Sequence, residues 1–581
     1  MLHWGVAKVM FFNPPRRADG AQTLFNNATL TLASFLQRGG VEARTEPLDG
    51  PYWIDKMIQV LEDYRPDTVA VSCKWWDTLY GATEVARLVR RYHPPARLVS
   101  GGQTATSFAP ELVARTQFDA VVRGDGEKPL LDYALGAPSC NLTSAEAVLP
   151  TTYVQQNDDG QNLRLADDLT ALADPDVLEM IGFNAPFIWT GKGCRCTCMF
   201  CAGSALGHKR MFGRKGYLYR PFDDVLHDMQ VLEPWSKGTY LFDFDPIADP
   251  GKGDYYRQLF EQLPRGRYHV AFYFWSLPEV EFVHFLADRF ASAFISLDAQ
   301  SLSQEVRQRL AERRQLKPYA PNSAFEEVLA AIASHPNLDA GLYGILGLPT
   351  EEPQHVLEAE AWIGHLLSTF GPAIGELAVT PLSIEPGALM DRDPDKYGMV
   401  VTRKTFDDYL AFTRSSFHSR ERIHNQTYDP NLPHPYGCHQ THQRPDRVYH
   451  DFHRLTSRLK ATFDQWAQNR AQQGLRYFPR QLKLTIQNRN WLRHQWHLVV
   501  WAAGLALERK LPELEVDARQ AFVFMPGAPA LRRTGSHAYT SERLPGFAQA
   551  IASGQLKVRI LARPDQNWGA IAEAGAELVY D

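Results

Sequence analysis

PFIWTGKGCRCTCMFC, residues 186–201, is the stretch whose reading decides the fold. Its first half, PFIWTG (186–191), is apolar, aromatic and β-branched, the composition of a buried strand. Four of the chain's seven cysteines crowd directly behind that strand. Two spacings compete among them. Cys198 and Cys201 form C-x2-C, the half-site of many zinc knuckles. Cys194, Cys198 and Cys201 form C-x3-C-x2-C, three soft ligands in one loop that can wrap three corners of an iron–sulfur cube and leave one iron open. Zinc asks for four N or S ligands, commonly as two separated pairs. The chain has no second C-x2-C pair, and His208 stands at no familiar zinc-finger spacing. Spacing alone leaves both metals open.

Working outward, the 186–191 strand is the first of six. TYLFDFD (239–245), YHVAFYFW (268–275), ASAFISLDAQ (291–300), LDAGLYGILGLP (338–349) and IGELAVTPLS (374–383) follow, with helical stretches between them. Six strand–helix units in a row predict a partial (β/α)6 TIM barrel over 185–404, with its site at the strand C-termini. The cysteines lie at such an end. Upstream, a second alternation runs through VAKVMFFN (6–13), VEARTEPLD (41–49), TVAVSCKW (68–75), ARLVSGGQ (96–103) and FDAVVRGDGE (118–127). It predicts an α/β, doubly wound, Rossmann-like parallel sheet over 1–135. Ligands bind such sheets at the strand carboxyl ends, where NPPRR, SCKWW, SGGQTAT and RGDGE stand. Residues 136–184 read as a linker. Residues 405–581 break the pattern and read as a mainly helical α+β C-terminal region that shapes the substrate pocket. FDDYLAFTRSSF looks helical there, and FPRQLKLTIQ and ARQAFVFMP look like strands.

Composition narrows the class. A chain of 581 residues is too long for one domain, and 44% hydrophobic with 22% charged residues is a globular balance. A net charge of −5 gives no electrostatic case for nucleic acid or an anionic membrane. No apolar run reaches spanning length, and MLHWGVAKVMFFNPP reads as a first strand rather than a signal peptide. Seven cysteines, an odd number, do not suggest a disulfide framework. The expected compartment is a reducing cytoplasm.

In this setting the 185–400 region resembles the radical SAM superfamily (SAM, S-adenosylmethionine). There the three cysteines of C-x3-C-x2-C follow the first barrel strand, with an aromatic residue, here Phe200, before the third. GILGLPTEE (344–352) resembles the fifth-strand motif, LDAQSLSQEVRQRL (297–310) the fourth-strand segment, and TPLSIEPGALM (380–390) the sixth-strand element. The usual G-G-E after the second strand is replaced by FDFDP (242–246). The resemblance implies Cys194, Cys198 and Cys201 as ligands of a [4Fe-4S] cluster. It implies Phe200, Asp243, Asp245, Ser276, Gln300, Ser301, Leu346 and Gly347 around SAM, with Asp243 or Asp245 taking its amino group. Cys196 is left as a spare thiol, expected to point away from the other three.

The N-terminal region resembles the cobalamin-binding domain that precedes radical SAM domains in one subclass. The resemblance implies Ser72, Lys74, Gly101, Gly102, Gln103, Gly124, Gly126 and Glu127 around cobalamin. D-x-H-x-x-G is absent, so no histidine is expected below the cobalt, and Lys74 or Trp75 is expected on that side. The implied function is a cobalamin-dependent radical SAM C-methyltransferase. It would methylate an unactivated carbon of a small-molecule, natural-product or peptide-derived substrate, using a 5′-deoxyadenosyl radical and methylcobalamin. An electron donor such as flavodoxin or ferredoxin is implied; nucleic acid and membrane are not. Two other readings stand beside it: radical cyclisation or ring rearrangement with the same cofactors, and a non-catalytic cobalamin- or zinc-binding regulatory protein. The histidines at 434–453 read as surface positions. Cys73 and Cys140 read as structural or incidental. Cys438 falls beyond the barrel, where substrate or a lid could lie, although a structural or incidental reading leads there too. Trp491, Trp496 and Trp501 read as helix core.

Overall fold

Strand β1 (Lys8–Asn13) sends alternate side chains into two different cores. Val9 and Phe11 join Leu30 and Leu36 of α1 (Asn27–Arg38), while Met10 and Phe12 join Trp53 and Met57 of α2 (Trp53–Tyr64). A strand buried on both faces reads as a continuous apolar run, which is why KVMFFN looks as it does. The computed structural model describes residues 6–18, 20, 27–50, 52–137, 142–144, 163–178, 186–211, 213, 217–236, 238–244, 254–418, 437–455 and 457–458, with the backbone of five short strands beyond.

The first sheet adds β2 (Glu42–Pro47), β3 (Thr68–Ser72), β4 (Arg97–Gly101), β5 (Ala120–Val122) and β6 (Leu142–Ser144), in the order β2-β1-β3-β4-β5-β6. Strands β1 to β5 are parallel and β6 closes the edge antiparallel. The chain reverses its winding between β1 and β3, the switch point where doubly wound sheets open a crevice. α3 (Leu79–Tyr92), α4 (Gln103–Ser107), α5 (Ala109–Arg115) and α6 (Glu127–Ala134) complete the unit. Within the stretch read as a linker, Leu142–Ser144 is the edge strand. Residues 163–178 bury Leu165, Leu169, Leu172 and Leu178 in the core that the first sheet shares with the second unit.

The second sheet contains the six expected strands: β7 (Phe187–Ile188), β10 (Thr239–Phe244), β11 (His269–Phe274), β12 (Ser292–Gln300), β13 (Leu338–Leu346) and β14 (Ile374–Pro381). All neighbours are parallel and sit in chain order, the arrangement of an opened barrel. Its outer layer contains α8 (Phe222–Ser236), α9 (Asp254–Glu261), α10 (Val280–Arg289), α11 (Gln304–Glu312), α12 (Asn322–Ala333) and α13 (Pro353–Phe370). Phe242, Phe260, Phe272 and Phe290 pack ring on ring beneath it. The first strand is shorter than the sequence predicts. After Ile188 the chain leaves the sheet, and β8 (Gly191–Gly193) pairs antiparallel with β9 (Tyr217–Tyr219) instead. The cysteine loop and α7 (Ala205–Met211) fill that hairpin.

Beyond the barrel, β15 (Met399–Val401) pairs with β16 (Cys438–Gln440). Helix α14 (Phe406–His418) docks on the first unit through Phe406, Tyr409 and Phe412. The buried Arg403 guanidinium lies 4.4 Å from the Trp76 ring centroid and 4.2 Å from that of Phe412, a cation–π clamp across the junction. Farther on, β17 (Glu513–Asp517), β20 (Lys557–Ala562) and β21 (Glu577–Tyr580) form a parallel sheet, and β18 (Phe522–Met525) pairs with β19 (Ala528–Arg532). The strand predicted in ARQAFVFMP is β18. FPRQLKLTIQ and the three tryptophans at 491–501 lie outside the described residues.

One buried carboxyl in the barrel carries a pH signature. Glu351 accepts the Gly347 N–H at 2.7 Å, and burial pushes its carboxyl from 4.5 up to about 8. The folded state therefore holds this proton more tightly than the unfolded state. Stability from this group is complete below 4.5 and is lost as pH rises to about 8. Glu351→Gln cannot titrate and keeps an acceptor for Gly347. Urea unfolding across that range should show the wild type losing on the order of a few kcal/mol relative to Glu351→Gln. A constant difference would show that Glu351 titrates normally.

Candidate active site

The loops at the carboxyl ends of the first sheet face the cysteine loop across one cavity of about 560 Å³. Its first wall is glycine-rich. Ser72 ends β3 and Lys74 lies just past it, Gly101 ends β4 ahead of Gly102 and Gln103, and Gly124 to Glu127 follow β5; all line it. Gly102 has φ +113, and a Cβ there would fall 2.8 Å from the Cys73 carbonyl oxygen and the Lys74 nitrogen. Only glycine lets these two loops touch. Thr106 ties on the third loop: its N–H donates to Gly102 O, and its hydroxyl accepts the Gly124 N–H at 3.0 Å. All eight residues expected round cobalamin thus share one surface, which Phe11, Leu32, Val99, Val122 and Leu130 make apolar. A broad apolar recess floored by close-approach glycines suits a large planar ring with amide-bearing edges.

The opposite wall carries Cys194, Cys196, Cys198, Phe200 and Cys201. Cys198 is buried, and its sulfur accepts the Gln300 amide at 3.3 Å. Gln300 ends β12 at φ +57, and its amide oxygen accepts the Lys317 N–H at 3.1 Å. This strained residue holds the cysteine loop from behind. Burial is the first cause pushing up both Cys198, to about 11, and Cys201. Thiolates buried this way need a cationic partner, which the irons of a cluster supply. The donor set and its surroundings therefore fit a cluster. Among the described residues, no three His, Cys, Asp or Glu side chains are gathered as a single metal ion requires.

Cys196 corrects one expectation. It does not point away: its N–H donates to Cys194 Sγ at 3.3 Å, and a thiol–thiol hydrogen bond to Cys194 is the first cause raising its pKa. All four thiols of the stretch stand on the cavity.

The residues expected round SAM divide. Phe200 and Gln300 line the cavity, joined by Ile345. Ser276, Ser301, Leu346 and Gly347 do not line it. Ser301 is fully buried and accepts the Ser303 N–H, and the Gly347 N–H is taken by Glu351. Asp243 lies in β10 opposite Tyr273; its side chain and Asp245 lie outside the described residues. A second cavity of about 310 Å³ opens inside the barrel, with Phe187, Tyr273 and Tyr343 on its walls, and shares Trp275 and Asp298 with the first.

Sequence reasoning missed several residues that organise the site. Glu385 is half-buried, and loss of solvent is the first cause pushing its carboxyl up. Lys192 pairs with Glu127, and Lys317 pairs with Asp298. Trp189 lines the cavity under Lys74, whose Nζ lies 5.3 Å from its ring centroid. Glu385 stands inside TPLSIEPGALM, but nothing local distinguishes it from a solvent-facing glutamate. Away from the cavity, Cys73 and Cys438 are fully buried thiols, each pushed up to about 12 by burial. Cys140 lies outside the described residues. The described histidines of 434–453 do not converge: His442 pairs with Glu352, His450 with Asp446, and His453 packs on Tyr449.

Comparison with known proteins agrees with this arrangement. Residues 18–134 match the family model described as B12 binding domain. A stretch of 190 residues is 30% identical to an uncharacterized methyltransferase of Pyrococcus horikoshii, covering 30% of this chain and 39% of that protein. The chain thus spans well under half of that relative's length. Among solved structures, the fold is shared with TsrM, a radical S-adenosylmethionine methyltransferase from Kitasatospora setae. With tryptophan substrate and the SAM analogue aza-SAM bound, TsrM superposes at a TM-score of 0.57 and 17% identity, covering 78% of this chain and 89% of that one. With cobalamin and a [4Fe-4S] cluster bound, the TM-score is 0.57 at 16% identity, covering 79% and 91%. Residues 18–134 thus match a B12 binding domain, and the chain shares its fold with TsrM. No helix among the described residues is long and apolar enough to cross a membrane.

Proposed function

We propose that the chain is a cobalamin-dependent radical SAM enzyme that transfers a methyl group to a carbon of a small-molecule or peptide-derived substrate. The observation that carries the reading is the single cavity into which both the glycine loops and the cysteine loop open. When bound there, a [4Fe-4S] cluster with SAM supplies one-electron cleavage chemistry, and cobalamin supplies methyl transfer. The chain's own part is placement. Cys194, Cys198 and Cys201 would hold the cluster, and Gln300 orients Cys198. The glycines let backbone approach the corrin, and Trp75 and Trp189 help to wall out water. The barrel cavity behind Trp275 and Asp298 is the place for substrate. The electron would come from a flavodoxin- or ferredoxin-type donor.

Lys74 offers a direct check on cobalamin placement. Its ammonium is held between the Trp75 and Trp189 rings, 5.0 and 5.3 Å from their centroids, at the end of β3. Lys74→Ala should shift the absorption bands of bound hydroxocobalamin. An unchanged spectrum at full occupancy would remove Lys74 from the corrin face.

The activity test uses SAM with a deuterated methyl group, a strong reductant and a panel of acceptors. Tryptophan, the substrate named for TsrM, comes first. The label should appear on a product carbon. Product formed without the label would instead indicate cyclisation or rearrangement.

A further inference from the structure

We propose that Glu385 is a positioning residue that couples the two walls of the cavity, so that loading the cysteine loop and loading the glycine loops favour each other. This inference rests on the functional reading above. Glu385 lies beyond the end of β14, directly before the turn at 386–387. One of its oxygens, Oε2, accepts the Gln103 side-chain amide at 2.7 Å and the Ala202 backbone N–H at 2.8 Å. Gln103 directly follows Gly101 and Gly102, and Ala202 directly follows Cys201. A single carboxylate oxygen therefore binds one donor from each wall.

The backbone around it repeats the bridge. Ser107 Oγ donates to Pro386 O at 2.9 Å on the first-sheet side. The Glu385 N–H donates to Phe200 O at 3.0 Å, and the Met390 N–H to Met199 O at 2.8 Å, on the cysteine side. Gly387 has φ +86, and a Cβ there would come within 3.0 Å of Ser107 Oγ and 3.3 Å of Met211 Sδ. The turn is wedged between both units and cannot move with one alone. A second strut, the nearly buried Lys192–Glu127 pair, joins the residues before the cysteines to the loop after β5.

The consequence follows from linkage. Ordering the cysteine loop round its ligand fixes the Ala202 N–H, which fixes Glu385, which sets Gln103 beside the glycines. A hydrogen bond to a charged group is worth roughly a factor of ten or more in an equilibrium constant. Coupling of binding free energies is reciprocal. A purely structural staple would lower stability or affinity without making one occupancy depend on the other.

The test is the dissociation constant of hydroxocobalamin, followed by its absorbance under anaerobic conditions, on the full chain with and without its reconstituted iron–sulfur cluster. The wild type should bind about tenfold more tightly when the cluster is present. Glu385→Ala should bring that ratio to within about twofold of one, and Glu385→Gln, which keeps an acceptor oxygen, should retain most of it. If Glu385→Ala does not fold, Gln103→Met removes the same link from the other wall and should also lose the ratio. Equal affinities in the two wild-type states overturn the coupling. So does a wild-type ratio in Glu385→Ala or, where that variant does not fold, in Gln103→Met, and so does a uniform loss of affinity that leaves the ratio intact. A wild type that takes up neither iron nor hydroxocobalamin overturns the functional reading and this inference with it, and shows itself before any variant is made.

Discussion

Alanine at Cys194, Cys198 or Cys201 should abolish iron uptake on anaerobic reconstitution, while Cys196→Ala should retain it. Each of the three is expected to hold a separate iron, so removing one opens a second corner and the cube has no replacement thiol at the right place. Cys196 is the test of that statement, because its backbone N–H donates to Cys194 Sγ and the residue lines the same cavity. A fourth cysteine ligand would close the cluster and leave no iron for SAM. Iron and sulfide analysis of the four variants, with the reduced-state electron paramagnetic resonance signal, reads the result. Loss of iron from Cys196→Ala, with retention in Cys194→Ala, would shift the register of the ligand set.

The second large effect is on stability. Arg220 and Asp228 form an ion pair at 2.8 Å, with side chains 0% and 3% exposed. Arg220 also donates to the Trp189 carbonyl at 2.7 Å and to the Asp224 carbonyl at 3.2 Å, and Asp228 accepts the Leu165 N–H at 2.9 Å. The pair thus pins the residues between β7 and the cysteine loop to α8 and to the segment after β6. Asp228→Ala strands a buried guanidinium, and breaking such a pair costs about 3–5 kcal/mol. Replacing both residues with apolar ones of similar volume should recover most of that loss. Denaturant unfolding of the single and double variants measures it. A single variant within about 1 kcal/mol of wild type would mean that water reaches the site.

Much of this architecture was legible because the two sheets are mainly parallel and their strands largely apolar. KVMFFN, TVAVS and HVAFYF announce themselves as strands by composition alone. Strand ends followed by glycine or cysteine then marked the two walls of the cavity. The end of β7 was not legible, since the chain leaves the sheet where Arg220 binds the Trp189 carbonyl, 31 residues away in sequence. Nor was the Gln103–Glu385 contact, which joins residues 282 apart. FDDYLAFTRSSF reads as a helix from its periodicity, but its packing on Trp76 and Phe108 is a tertiary fact with no local trace. Cys196 was misread for a related reason. A loop has no fixed period, so spacing cannot say which way a side chain faces.

The central claim is that one cavity holds both a four-iron cluster and a corrinoid. Metal analysis of the full chain, after anaerobic reconstitution with iron, sulfide and hydroxocobalamin and removal of unbound reagents, tests it most directly. About four iron atoms and about one cobalt per chain are expected. Zinc in place of iron, or iron without cobalt, would contradict it.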